Sequence, residues 1–291
     1  MMLDKFCFAL LTLFFALSSN ASIWGSDDRV DMFEVQDPKI LELSKSVAAL
    51  IPKERMERLA NGDYLLKGDS LEKAWGFCPE SKFASQPFIA NCSASLIDED
   101  KILTAGHCLN MPKGKDSYYV VFGYELNRSS QEEIKLPKED VFVFAETIYY
   151  NFDLSMSETA IDLAVLRLDR PAKRKPLKMD IDFRPNNGDE VFVLGFPLGL
   201  PLKLAPNGYV WNEGSMPNSF RHDLDTFSVN SGSPVFDRAS SKLIGVHVRG
   251  TGNNFKYYGR QCREWFRASR ARGDYGEANL LTPLLSSEIG R

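Results

Sequence analysis

The chain predicts an all-β fold, and three features of the sequence carry that expectation. Val, Ile, Phe and Tyr concentrate in short runs at 118–124, 141–150, 163–168, 190–196, 202–210 and 242–248. Turn residues separate the runs, a texture that suits an antiparallel sandwich or barrel. Between the third and fourth runs lies Arg170-Pro171-Ala172-Lys173-Arg174-Lys175-Pro176. Its cations and two prolines fit an exposed linker between two halves better than a strand. With 44% hydrophobic content over 291 residues, the chain can also bury a large core.

Taken in order, the chain opens with Lys5, an apolar run from Phe6 to Leu17, and Ser19-Asn20-Ala21, with small residues where a signal peptidase reads them. Residues 1–21 therefore read as a cleaved signal, which places the mature chain in a secreted or periplasmic setting. The run is about a dozen residues long, short of the roughly 20 needed to span a bilayer. From Pro38 to Ile51, apolar residues at Ile40, Leu43, Val47, Leu50 and Ile51 approach helical spacing and Pro52 stops the pattern, so an amphipathic helix is predicted. Asn61-Gly62-Asp63 marks a turn. Residues 22–76 thus read as an N-terminal extension or pro-segment and 77–291 as the main domain. Near the end, Thr282 before Pro283 predicts an N-cap and first residue of a short C-terminal helix that runs to about Gly290.

A net charge of -4 gives no general attraction to polyanions, so nucleic acid is not an expected partner. Loss of Cys7 with the signal leaves Cys78, Cys92, Cys108 and Cys262, an even number that suggests two disulfides in an exported chain. The spacings contain no CxxC and only three histidines exist, so neither a metal nor a cofactor is expected.

The chemistry is concentrated in three stretches: Thr104-Ala105-Gly106-His107-Cys108, Ile161-Asp162-Leu163-Ala164-Val165 and Asn230-Ser231-Gly232-Ser233-Pro234. A serine hydroxyl is a poor nucleophile unless an imidazole takes its proton and a carboxylate orients that imidazole. All three groups are present, in the order His, Asp, Ser. With these motifs the chain resembles the chymotrypsin-like serine peptidases. The resemblance implies two six-stranded antiparallel β-barrels, the first over about 85–170 with His107 and Asp162, the second over about 186–285 with Ser231. It also implies a monomeric hydrolase of protein or peptide substrates, with no membrane partner after signal removal. Ser233 is the competing nucleophile, but the family's Asn-Ser-Gly register selects Ser231. A Cys92–Cys108 bridge would pin the loop carrying the catalytic base, leaving Cys78 with Cys262.

Within that family the chain resembles the bacterial glutamyl endopeptidases. Its Gly25-Ser26-Asp27-Asp28-Arg29 element is similar to their mature N-terminus, which makes Ser22 a candidate first residue near the substrate pocket. Asn230 replaces the Asp of the family's activation ion pair, a feature shared with that branch. Thr226 and His247 match the positions where those enzymes hold a Thr and a His around an acidic side chain, so the resemblance implies cleavage after Glu. The alternative is a preference for Arg or Lys through Asp225, six residues before Ser231. One departure stands out: the oxyanion hole uses the backbone N–H groups of Ser231 and of the residue two before it, where the family has Gly and this chain has Val229. A β-branched residue resists the conformations open to Gly, so a catalytically weak binding protein on the same fold is the competing expectation.

Overall fold

The computed structural model describes residues 22–110, 114–129, 133–153, 160–213 and 215–286. The segment read as a signal lies outside them, as does the expected helix end at Gly290. Two large antiparallel sheets dominate the described residues, beside a three-stranded and a two-stranded one. The first runs Phe144–Phe152, Asp162–Leu168, Lys101–Thr104, Cys92–Leu96, Val47–Pro52, Tyr118–Phe122 and Val141–Phe142 in spatial order. Its two edges are consecutive pieces of chain around Val143, so one bent strand carries the sheet round on itself. The second runs Lys203–Trp211, Glu190–Gly195, Pro234–Asp237, Leu243–Gly250, Gly276–Leu280 and Ser219–His222, and a further pairing of Val210 with His222 closes it into a six-stranded barrel. This is the expected two-barrel, all-β architecture. No helix among the described residues is long and apolar enough to cross a membrane.

Apolar side chains fill each barrel, and the cluster of the first continues into the second through Phe192, Phe236 and Val246. Val120, Phe122, Leu103, Leu163 and Val165 fill the first, and Val191, Val193, Phe220, Val235 and Ile244 the second. A third apolar cluster, Ile23, Leu71, Phe77, Leu198, Phe227 and Trp265, joins the N-terminal segment to the second barrel.

The helix expected over Pro38 to Ile51 ends at Ser44. Asp37 caps it, accepting from the Lys39 N–H at 2.8 Å, and Pro38 occupies its first turn. Val47–Pro52 is instead a wholly buried strand, paired with Cys92–Leu96 on one side and Tyr118–Phe122 on the other. A short continuous apolar run fits a strand buried on both faces as well as a buried helix, and here the two neighbouring strands decide the matter. The expected boundary at residue 76 therefore does not separate an arm from a barrel. Val30–Asp31 also pairs with the start of the Lys203–Trp211 strand, and Asp31 forms a buried ion pair with Lys203 at 2.6 Å. At the other end, the Thr282–Ser286 turn is a 3-10 helix.

Cys92 is bridged to Cys108 and Cys78 to Cys262, across 16 and 184 residues of sequence. Closing the longer loop is worth roughly 5 kcal/mol in the chain-entropy account. A polypeptide starting at residue 77 lacks a central strand of the first sheet, and it is expected to show no cooperative urea transition. A cooperative transition with native-like near-UV circular dichroism would contradict this assignment.

Candidate active site

The strand Lys101–Thr104 delivers the chain to a 3-10 turn, Gly106–Asn110, which carries His107. Asp162 opens the neighbouring strand, and its carboxylate holds the histidine twice. One oxygen accepts the His107 backbone N–H at 2.8 Å and the other lies 2.6 Å from Nδ1. A carboxylate can only accept, so Nδ1 carries the ring proton and Nε2 presents a lone pair. Asp162 is in turn tied to the second barrel: its N–H donates to Asn279 Oδ1 at 2.7 Å.

Ser231 sits on the turn between Phe227 and Pro234, where two contacts tie its carbonyl to the barrel that carries His107 and a third places its hydroxyl. Its carbonyl accepts the Ser93 N–H at 2.7 Å. Cys108 Sγ, one residue beyond His107, lies 3.7 Å from the same oxygen. Its hydroxyl lies 3.5 Å from the Val248 carbonyl. Gly232, at φ 89°, permits this approach, since a Cβ there would stand 1.9 Å from Ser93 O and 2.4 Å from Thr104 Oγ1. Ser233 is fully buried, with its hydroxyl 3.5 Å from Asn230 Oδ1. Asn230 is buried as well.

Val229 has φ 75°, the left-handed region that a β-branched side chain disfavours. The expected strain is therefore present, and the loop adopts this conformation in spite of it. Ser93 Oγ donates to the Val229 carbonyl at 3.0 Å, and the Leu198 N–H holds the preceding Ser228 carbonyl at 2.7 Å. Strain of this kind costs on the order of 1–3 kcal/mol and persists where the surroundings over-determine it.

Three of the expected pocket residues are buried together. Thr226 is fully buried, with its hydroxyl 3.5 Å from the Leu224 carbonyl. His247 faces His222, a residue the sequence reading passed over; their Nδ1 and Nε2 atoms stand 3.0 Å apart. The Leu224 N–H donates to His222 Nδ1 at 3.2 Å. His222 therefore carries its proton on Nε2 and donates it to His247 Nδ1, so the His247 proton resides on Nε2. Burial pushes His222 down to about 3. Burial, and then the proximity of His222 and His107, hold His247 well below the ordinary imidazole range. Gly276 makes room for this pair, because a Cβ there would lie 2.3 Å from His222 Cε1. No nearby sequence signal marks His222; only its being one of three histidines could have drawn attention to it.

Asp225 is placed differently from its expected alternative role. Its two oxygens accept the backbone N–H groups of Trp24 at 2.6 Å and Asp28 at 3.3 Å, and burial pushes its carboxyl up to about 7 against the pull of Arg29. A carboxylate so engaged is poorly placed to pair with a basic substrate side chain. Arg29 lies alongside, fully buried, bonded to Asp27 and stacked 4.1 Å from the centroid of Trp265 and 4.5 Å from that of Phe227. Ser22 is buried against Gly252. Cys92, His107 and Cys108 are close enough to resemble a metal-ligand set, but the two sulfurs are joined and supply no thiolate.

The sequence profile of the trypsin-like peptidase domain matches residues 92–246. A glutamyl endopeptidase of Staphylococcus epidermidis is 28% identical over 170 residues, 56% of this chain and 55% of that protein. The chain thus spans about half the length of the curated relatives it matches. Among solved structures, a Glu endopeptidase superposes with a TM-score of 0.52 at 17% identity, covering 89% of this chain and 94% of that one.

Two outcomes are expected from this geometry. Val229→Gly removes an unfavourable φ, so turnover on a peptide ester should be unchanged or raised; a large loss would show that the valine side chain itself is needed. For the histidine pair, the folded pKa values lie below the unfolded one. Their contribution to stability is complete above about pH 6.5 and is lost as the pH falls toward 3. His222→Asn keeps an acceptor for Leu224 but does not titrate. Its cost relative to wild type, read from urea midpoints, should therefore shrink between pH 7.5 and pH 4.5, and a cost that grows over that range would refute the buried neutral pair.

Proposed function

Because the chain belongs to the trypsin-like peptidase family, a family of serine endopeptidases, we propose that it is a secreted enzyme that hydrolyses peptide bonds after acidic residues, Glu in preference to Asp. His107, Asp162 and Ser231 carry the reaction. With Nδ1–H held by Asp162, His107 Nε2 takes the Ser231 proton as the hydroxyl attacks the substrate carbonyl. The tetrahedral oxyanion is received by the Val229 and Ser231 backbone N–H groups, and an oxyanion donor is worth on the order of a hundred- to a thousandfold in rate. His107 then protonates the leaving amine, and water repeats the sequence on the acyl-enzyme.

The observation that carries the acidic reading is the ordered histidine pair. His222 fixes His247 as an Nε2–H donor, a group suited to a carboxylate and of no use to an ammonium or guanidinium. An arriving carboxylate also raises the imidazole pKa, so the interaction strengthens as substrate binds. Similarity to a glutamyl endopeptidase supports the same reading, and the engagement of Asp225 counts against the tryptic one. A weak peptidase or binding protein on this fold is favoured only by the strained φ of Val229.

Ser231→Ala should abolish labelling by a fluorophosphonate probe and Ser233→Ala should leave it intact. Wild type should cut a mixed peptide library after Glu. His247→Ala should reduce that cleavage by about tenfold or more, because a substrate carboxylate is left without its partner, while probe labelling changes little. Cutting after Arg or Lys that Asp225→Ser ends would instead establish the tryptic specificity.

A further inference from the structure

Residues 251–273 form a hairpin beside the nucleophile loop, and their charge is opposite to that of the chain as a whole. They contain Lys256, Arg260, Arg263, Arg267, Arg270 and Arg272 against the single carboxylate of Glu264, in a protein of net charge -4. Carboxylates elsewhere neutralise part of this. Arg260 pairs with Glu80 and Glu264, Arg270 with Asp223, and Arg272 with Asp274. Lys256, Arg263 and Arg267 have no carboxylate partner among the described residues.

Two of them, Lys256 and Arg263, converge on two tyrosines, while the Arg267 guanidinium donates to the Gly25 carbonyl at 2.7 Å. Tyr257 and Tyr258, 48% and 44% exposed, are among the few large apolar side chains left in solvent. Arg263 Nε donates to the Tyr257 hydroxyl at 3.2 Å, and the Arg267 N–H to the Tyr258 hydroxyl at 3.0 Å. Lys256 Nζ lies 5.4 Å from the centroid of the Tyr258 ring. Since each hydroxyl oxygen accepts within the hairpin, its own proton remains to be donated outward. The face thus offers two O–H donors and two uncompensated cations around two aromatic rings.

The hairpin is also held in place. Phe255–Lys256 pairs with Glu264–Trp265, Cys262 is bridged to Cys78, and buried Trp265 donates to Lys82 O at 2.8 Å. Its near end touches the nucleophile loop directly, because Asn254 Oδ1 accepts the Ser228 N–H and Asn254 Nδ2 donates to the Ser228 hydroxyl, both at 2.9 Å. Phe255 is only seven positions beyond Val248, which touches the Ser231 hydroxyl. That is at most about 23 Å of extended chain.

We propose that this face is an exosite for an acidic segment of the polypeptide substrate, lying within about seven residues of the scissile bond. Carboxylates would take the tyrosine O–H groups and the ion pairs of Lys256 and Arg263, while apolar substrate residues lie against the rings. A polypeptide fits better than another polyanion because the hairpin is bonded to the loop that carries the nucleophile, so that a chain in the cleft is already delivered to it. The inference rests on the peptidase reading and not on which residue precedes the cleaved bond.

The test uses the full-length secreted enzyme and two peptide series built on whichever core it cuts best, extended on either side by six Gly and Ser residues or by the same length holding four Glu. At low salt the acidic extension should lower KM by about five- to tenfold on at least one side with little change in kcat, given a few tenths to one kcal/mol for each exposed pair. The advantage should fade at 0.5 M salt. Lys256→Gln with Arg263→Gln should bring the two series within about twofold while leaving the neutral series unchanged, which also verifies folding. Tyr257→Phe with Tyr258→Phe keeps the rings and should remove part of the effect. Equal KM values for both series in wild type, or an advantage that survives the double Gln variant, would overturn the proposal. So would a face that ignores acidic peptides but binds dextran sulfate or anionic vesicles in a manner lost in that variant.

Discussion

The contact between the strand Cys92–Leu96 and the loop 229–232 holds the two halves of this protein in register. Ser93 donates its N–H to the Ser231 carbonyl and its hydroxyl to the Val229 carbonyl, while the Thr104 hydroxyl donates to the Ser93 carbonyl. Gly232 passes so close to this strand that no side chain could be accommodated. Ser93 belongs to the barrel that carries His107 and Asp162, and Ser231 to the barrel that carries His247, so every distance in the site depends on this seam. The Cys92–Cys108 bridge and the Asp162 to Asn279 bond fasten it on either side. Buried polar groups satisfied in this way favour one arrangement strongly, since a shift of either barrel would leave several of them unpaired.

The histidine pair is ordered by burial. Two imidazoles in an apolar interior are both neutral, and one backbone N–H, from Leu224, is enough to set the direction of both protons. The N-terminal segment supports this region from behind. Trp24 and Asp28 occupy Asp225, and Arg29 stacks between Trp265 and Phe227, in a cluster that also contains Ile23 and Phe77. Residues 22–31 are thus part of the wall of the second barrel, even though they lie about 200 residues from the nucleophile in sequence.

Much of this was legible in the sequence, for physical reasons. His107, Asp162 and Ser231 lie in short contiguous motifs, because strand ends and tight turns fix local residue types as well as chemistry. The strands could be read from β-branched and aromatic runs, and the bridging of four cysteines from their even number. Val47–Ile51 was misread because a strand buried on both faces has no alternation to separate it from a helix. The placement of Asp225 could not be read, since its partners are backbone N–H groups about 200 residues away, and backbone groups leave no mark in a sequence. His222 was passed over because it meets His247 only through the pairing of both their strands with Gly276–Leu280. The doubt about Val229 fell on a residue whose φ of 75° a β-branched side chain disfavours, and the loop holds that conformation.

The central claim is that His247, oriented by His222, reads an acidic side chain. A crystal structure of the enzyme with Ser231 covalently bound to a peptidyl phosphonate ending in the glutamate side chain measures this most directly. The account predicts one carboxylate oxygen at about 2.7–3.2 Å from His247 Nε2, with Asp225 still bonded to Trp24. A glutamate side chain directed into solvent, or held by a cation while His247 Nε2 bonds elsewhere, would contradict it.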